Sequence, residues 1–205
     1  MVEFVHQGGG LYRRGVGGDT SNAAIAAARQ GARVGFLTAL GADRFGDSIM
    51  DLWRAEGVDA AHVRRNADAP TGIYFIDPDP EGRFFTYYRA GSAASLMRPD
   101  DLPADAIRAT RCLHLSGITL AVSPDLRDTA LAAIDLAAQA GVSVSLDTNL
   151  RLKLWDAETA RRVIDGTLER VRIVVTSIED SLHLTGLGEP EAIGEFYRRR
   201  GPEIV

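Results

Sequence analysis

The sequence predicts an α/β fold: a Rossmann-type parallel sheet flanked by helices, carrying a small β-sheet lid. Three observations support it. Short apolar runs of strand length alternate with helix-like runs, as expected for parallel strands covered on both faces. The early helix-like runs close on a glycine, Gly31 and then Gly57. Residues 71–89 break this rhythm with "TGIYFID", a turn "PDPEG" and "RFFTYYR", an aromatic and β-branched hairpin.

Each element follows in order. Residues 19–30 read as a capped helix, residues 33–40 ("RVGFLTAL") as a buried strand and residues 43–56 as a second helix. The hairpin is a lid or an oligomer interface, and "LYRRGVG", 11–17, adds a strand to it. The apolar run "RCLHLSGI" makes Cys112 a buried bystander and His114 a satisfied core residue. Residues 124–140 read as a helix, 142–149 as a strand, 157–171 as a helix and 172–176 as a strand. Without a linker or a long repeat, the expectation is one domain over 1–205, with lid strands at about 11–17 and 71–89. "MVEFV" reads as the tail of a strand and "GPEIV" as the opening of another buried one. The expected chain is therefore a partial domain, cut more severely at its C-terminal end.

Composition narrows the function. A formal net charge of −5 argues against a broad nucleic-acid surface. A single cysteine excludes an internal disulfide and fits a cytoplasmic protein. No apolar run approaches the roughly 20 residues that span a bilayer, so no membrane partner is expected. The four histidines show no metal-ligand spacing.

Four stretches carry chemistry. In "VGGDTSN", Gly17 and Gly18 permit a positive φ and a close backbone approach, the helix start offers free amides, and Asp19 and Asn22 can hydrogen-bond hydroxyls. It fails as a dinucleotide fingerprint, because Thr20 stands at the third glycine, and as a P-loop, because no lysine follows. A tight turn plus an N-cap is the plain alternative. In "LDTNLRLKLW", Asp147, Asn149 and Arg151 follow a strand, at the end where α/β sheets bind ligands. A polar loop with a helix cap is its plain alternative. In "FFTYYRAGSAAS", Tyr87 and Arg89 share one strand face. Arg89 and Arg151 at one cleft suit a carboxylate, which arginine binds bidentately, whereas neutral sugars need no such pair. The ordinary fate of an exposed arginine is a surface acid. In "VVTSIEDS", Glu179 opens a helix and either holds a hydrated Mg²⁺ near phosphates or complements the helix dipole.

Together these stretches resemble the PfkB (ribokinase-like) carbohydrate kinases over nearly the whole chain. Within that family the likeness is to the 2-keto-3-deoxygluconate kinases, through "GGDTSN", "TGIYF", "YYRAGSAAS", "LHLSGITLA" and "DTNLRLKLW". The resemblance implies that Gly17, Gly18 and Asn22 bind sugar-acid hydroxyls, that Tyr74, Tyr87 and Arg89 reach down from the lid, and that Arg151 meets the carboxylate. Glu179 matches the Glu of an N-x-x-E motif that organises Mg²⁺ and phosphate, although Thr176 replaces its Asn. ATP and Mg²⁺ are the implied cofactors and a small sugar acid the implied partner, with a homo-oligomer formed through the β-lid. The family's Gly-Ala-Gly-Asp motif, whose Asp is the general base, is absent here and expected beyond Val205. The implied chain is thus the sugar-binding half of a kinase, inactive alone. The alternatives are a fructokinase- or ribokinase-type enzyme and a non-catalytic sugar-binding remnant.

Overall fold

The computed structural model describes residues 1–80 and 82–205, and the chain divides into two compact units, Met1–Met97 and Arg98–Val205. The first unit runs β1 (Val2–Gly8), β2 (Leu11–Val16), α1 (Asp19–Arg29), β3 (Thr38–Gly41), α2 (Arg44–Ala55), β4 (Val63–Asn66), β5 (Ile73–Asp79) and β6 (Gly82–Tyr88). Four strands form one sheet in the order β2-β1-β5-β6, and β3 pairs with β4 in a separate parallel ladder. Within the larger sheet β1 runs parallel to β5, while β1–β2 and β5–β6 are antiparallel.

Register decides which residues meet. Glu3 pairs with Tyr74, and Tyr74 with Tyr87. Alternation then places Glu3, Tyr74, Tyr87 and Arg89 on one face and Phe4, Phe75 and Tyr88 on the other. On that second face Phe4 stacks on Phe75 at 5.1 Å and meets Phe45 of α2 edge-on at 5.9 Å. The sheet is rooted there in the unit's core, where Val2 packs with Leu40, Ile49, Trp53, Val58 and Val63. The buried Trp53 donates its indole N–H to Ser21 Oγ at 2.9 Å, which pins α2 to the first turn of α1.

The sequence reading needs four adjustments in this unit. The lid strand at 11–17 joins the sheet through β1, not through the hairpin directly, so the residues read as a strand tail form a central strand. The buried strand expected over 33–40 is reduced to Thr38–Gly41, because the segment before it pairs only through an isolated bridge at Gly35 and Asp59. The N-cap of α1 is Gly18, with no side-chain capping bond, where a capped helix was expected. The "PDPEG" turn includes Glu81, which lies outside the described residues, and the ladder runs up to Asp79 and Gly82.

The second unit runs α3 (Ala104–Ala109), β7 (Cys112–Ser116), α4 (Gly117–Ala121), α5 (Pro124–Gln139), β8 (Ser143–Asp147), α6 (Ala157–Asp165), β9 (Ile173–Val175), α7 (Ile178–Thr185) and α8 (Pro190–Arg198). Its sheet, β7-β8-β9, is wholly parallel. Ser116 pairs with Asp147, and Asp147 with Val175, so the carboxyl ends of the strands finish level. The core includes Leu120, Ile134, Val144, Leu146, Ile164, Leu168 and Val174.

Here too the structure corrects particulars. Cys112 and His114 are exposed, because β7 is the edge of this sheet and both stand at its open beginning. His114 Nδ1 lies 3.1 Å from Ser145 Oγ. The helix expected over 157–171 stops at Asp165; Gly166 ends it, and a 3₁₀ turn at Leu168–Arg170 puts Leu168 and Val171 into the core. Ile204 bridges in parallel to Ile173 as a strand opening would, yet it is exposed. Among the described residues no helix is long and apolar enough to cross a membrane.

Candidate functional site

The Gly-Gly turn and the lid face of the first unit come together. Gly17 follows β2 and is buried. A Cβ there would collide with the Tyr74 hydroxyl and sit 2.8 Å from Glu3 Oε2, so only glycine leaves room. Gly18 has φ +139, a conformation that glycine alone adopts readily. As the N-cap of α1 it offers no side chain, and this helix start has no capping side chain of its own. Asp19 is partly buried at that start, and Asn22 is exposed in the first turn.

Tyr74 is held above Gly17. Its hydroxyl donates to Glu3 Oε2 at 2.6 Å. Burial, reinforced by that carboxylate, pushes the phenol well above the ordinary tyrosine range, so it stays a donor. Tyr87 lies beside it with ring centroids 5.6 Å apart. Arg89 stands next on the same face, its Cζ 5.9 Å from the Tyr87 ring centroid. The Arg89 side chain is partly buried, and its Nε is buried with no hydrogen-bond partner. Burial lowers its pKa from the ordinary arginine value, with Asp19 and Tyr87 partly opposing. A buried guanidinium with an unused donor is costly unless something accepts from it, and an anion is the strongest acceptor.

Glu3 is the residue that sequence reasoning missed. Its signal was present: in "VEFV" a lone acid alternates with apolar residues, which puts it on the face away from Phe4. What it faces depends on the parallel pairing of β1 with β5. By contrast, an open, mostly apolar hollow lined by Phe45, Pro70, Thr71, Ile73 and Tyr88 contains none of the predicted site residues.

In the second unit the strand ends gather a polar cluster. Asn149 has φ +33, and its Nδ2 donates to Ser116 Oγ at 3.4 Å. Gly117 lies directly against the Thr148 carbonyl, where a Cβ has no space. Arg151 is exposed, and its Nη1 donates to Leu150 O at 2.7 Å. Glu179 is exposed in the first turn of α7, whose N-cap Ser177 accepts from Asp180 N. Among the described residues no group of three or more His, Cys, Asp or Glu could hold a metal ion.

Residues 6–200 match the pfkB family carbohydrate kinases. The chain belongs to that family. It is 38% identical over 199 residues to a 2-dehydro-3-deoxygluconokinase of Thermoproteus tenax, covering 95% of this chain and 60% of that protein. It is 37% identical over 195 residues to a probable fructokinase-4 of Arabidopsis thaliana, covering 91% of this chain and 60% of that protein. The chain thus spans about three fifths of the length of these relatives. Among solved structures, a PfkB protein from Polaromonas sp. JS666 superposes with a TM-score of 0.95 at 33% identity, covering all of this chain and 72% of that one. A 2-dehydro-3-deoxygluconokinase from Thermotoga maritima superposes at 0.90 with 26% identity, covering all of this chain and 68% of that one. These PfkB structures share the α/β architecture of parallel sheets flanked by helices.

Proposed function

We propose that the protein carrying this chain is a sugar-acid kinase that phosphorylates 2-keto-3-deoxygluconate on its terminal hydroxyl. The observation that carries this reading is Arg89: a guanidinium with a buried, unpartnered Nε on the lid face, beside an aromatic pair. The carboxylate of a sugar acid completes that site, taking a charge-assisted bond from the guanidinium. Arg151 is the proposed second cation. Gly17 and Gly18 let the sugar approach the backbone, and Asp19 and Asn22 take its hydroxyls. Tyr74 and Tyr87 cover the bound sugar and exclude water. The sugar is thereby oriented before phosphoryl transfer, where positioning supplies much of the rate. MgATP supplies the phosphoryl group. Towards it this chain offers Glu179, and the other residues named here act on the sugar.

A fructokinase is the second reading. Glu3 favours it, because a carboxylate beside the Gly-Gly turn accepts from neutral sugar hydroxyls and opposes a sugar carboxylate nearby. The deciding experiment measures kcat/KM of the full-length protein for 2-keto-3-deoxygluconate and for fructose, with and without Arg89→Ala. The sugar-acid reading expects preference for the acid, and a loss on Arg89→Ala confined to the acid. Preference for fructose, unaffected by Arg89→Ala, overturns it.

A further inference from the structure

Asp180 stands one residue past Glu179, and its carboxylate turns back to the loop leaving β8. Its Oδ2 accepts from Thr148 Oγ1 at 2.8 Å and from Leu150 N at 3.0 Å. Thr148 is fully buried, and its N–H donates to Val175 O at 2.9 Å. Thr148 Oγ1 also lies 2.9 Å from Thr176 Oγ1. A threonine hydroxyl has one proton, and the carboxylate oxygen at 2.8 Å is a stronger acceptor than the Thr176 hydroxyl, so Asp180 takes it.

Between the two residues that Asp180 grips stands Asn149. At φ +33 it is the only non-glycine residue with positive φ among the described residues. Asparagine is the non-glycine residue that most readily takes such a conformation, and the bonds around it hold it there. Asp180 is bonded to the residue before and to the residue after, and Ser116 takes the Asn149 side chain. Arg151 leaves the chain immediately beyond.

We infer that Asp180 is a positioning residue: by bracketing Asn149 through the Thr148 hydroxyl and the Leu150 amide, it sets the backbone from which Asn149 and Arg151 meet the sugar. The inference rests on the proposed kinase reading for the word sugar, but not for the geometry. It assigns Asp180 no contact with nucleotide or metal. Position, not charge, is what the carboxylate contributes, and one amide oxygen can accept both bonds.

The test compares Asp180→Ala with Asp180→Asn in the full-length protein. The probe is whichever of 2-keto-3-deoxygluconate and fructose the wild type phosphorylates. Asp180→Ala is expected to raise KM for that sugar a few-fold, no more than loss of the groups it positions, with KM for ATP little changed. Asp180→Asn is expected to restore most of the sugar KM. Equal impairment of both variants, or an effect falling on ATP KM or Mg²⁺ dependence instead, overturns the inference. Hydrogen exchange at the Leu150 amide gives a readout free of activity. Its protection should be lost in Asp180→Ala, kept in Asp180→Asn, and unaccompanied by loss across α7. Unchanged protection in Asp180→Ala overturns the inference whichever sugar is the substrate. A preference for fructose overturns only the sugar-acid reading.

Discussion

Arg89 and Arg151 form the arginine pair expected to face a carboxylate, yet their surroundings differ. Arg89 extends from a lid strand, is partly buried and has a buried Nε with no acceptor. Arg151 sits on a loop, is exposed, and already donates to the neighbouring Leu150 carbonyl. An exposed guanidinium exchanges a ligand for water at little net gain, whereas a buried one has its desolvation penalty already incurred and gains the full bond. The same residue type thus stands in two different surroundings, and Arg89 is the proposed anchor.

The largest effect expected from this contrast is on Arg89→Ala, which should raise KM for the sugar acid by about 10- to 100-fold, the worth of a charge-assisted bond. Steady-state kinetics on the full-length protein check it, and an unchanged KM breaks the comparison at its stronger side. Next comes Gly17→Ala, which drives a methyl into the Tyr74 hydroxyl and Glu3. Overpacking of this kind costs about 1–3 kcal/mol, read by urea denaturation. Arg151→Ala should weaken sugar-acid binding only a few-fold, roughly the worth of an exposed ion pair. A calorimetric loss equal to that of Arg89→Ala would erase the distinction.

The smallest effect uses the start of α2 as the counterpart to the open start of α1. Asp43 closes it, accepting from Gly46 N at 2.7 Å and from Thr71 N at 2.8 Å. Burial alone would raise the Asp43 pKa, but those N–H donors win and hold it below its ordinary 3.8. A depressed carboxylate stabilises the fold above its unfolded pKa, and that contribution is lost as pH falls through the folded value. Acid unfolding of Asp43→Asn should therefore show a shallower loss of stability below pH 3.8 than wild type. Identical acid profiles would show that the cap contributes nothing measurable.

Much of the fold was legible because it rests on local periodicity. The helices at α1, α2 and α5 and the β5–β6 hairpin fall close to where capping residues, glycines and alternation place them. Tyr87 and Arg89 share a face for the same reason, since alternation is a property of a single strand. The misreadings have a common origin in pairing. Cys112 and His114 read as buried from an apolar run, but exposure depends on being at a sheet edge. Ser21, to which the sequence reading gave no role, is buried and accepts from Trp53.

The sequence by itself determined the family and much of the order of strands and helices, because these depend on short-range chemistry and spacing. Only the tertiary structure decided that Glu3 holds Tyr74 over Gly17, that Arg89 rather than Arg151 is the desolvated cation, and that Asp180 rather than Glu179 grips the loop after β8. Those outcomes join residues about 30 to 70 positions apart along the chain, and such contacts are fixed by strand register and burial, which no local pattern encodes.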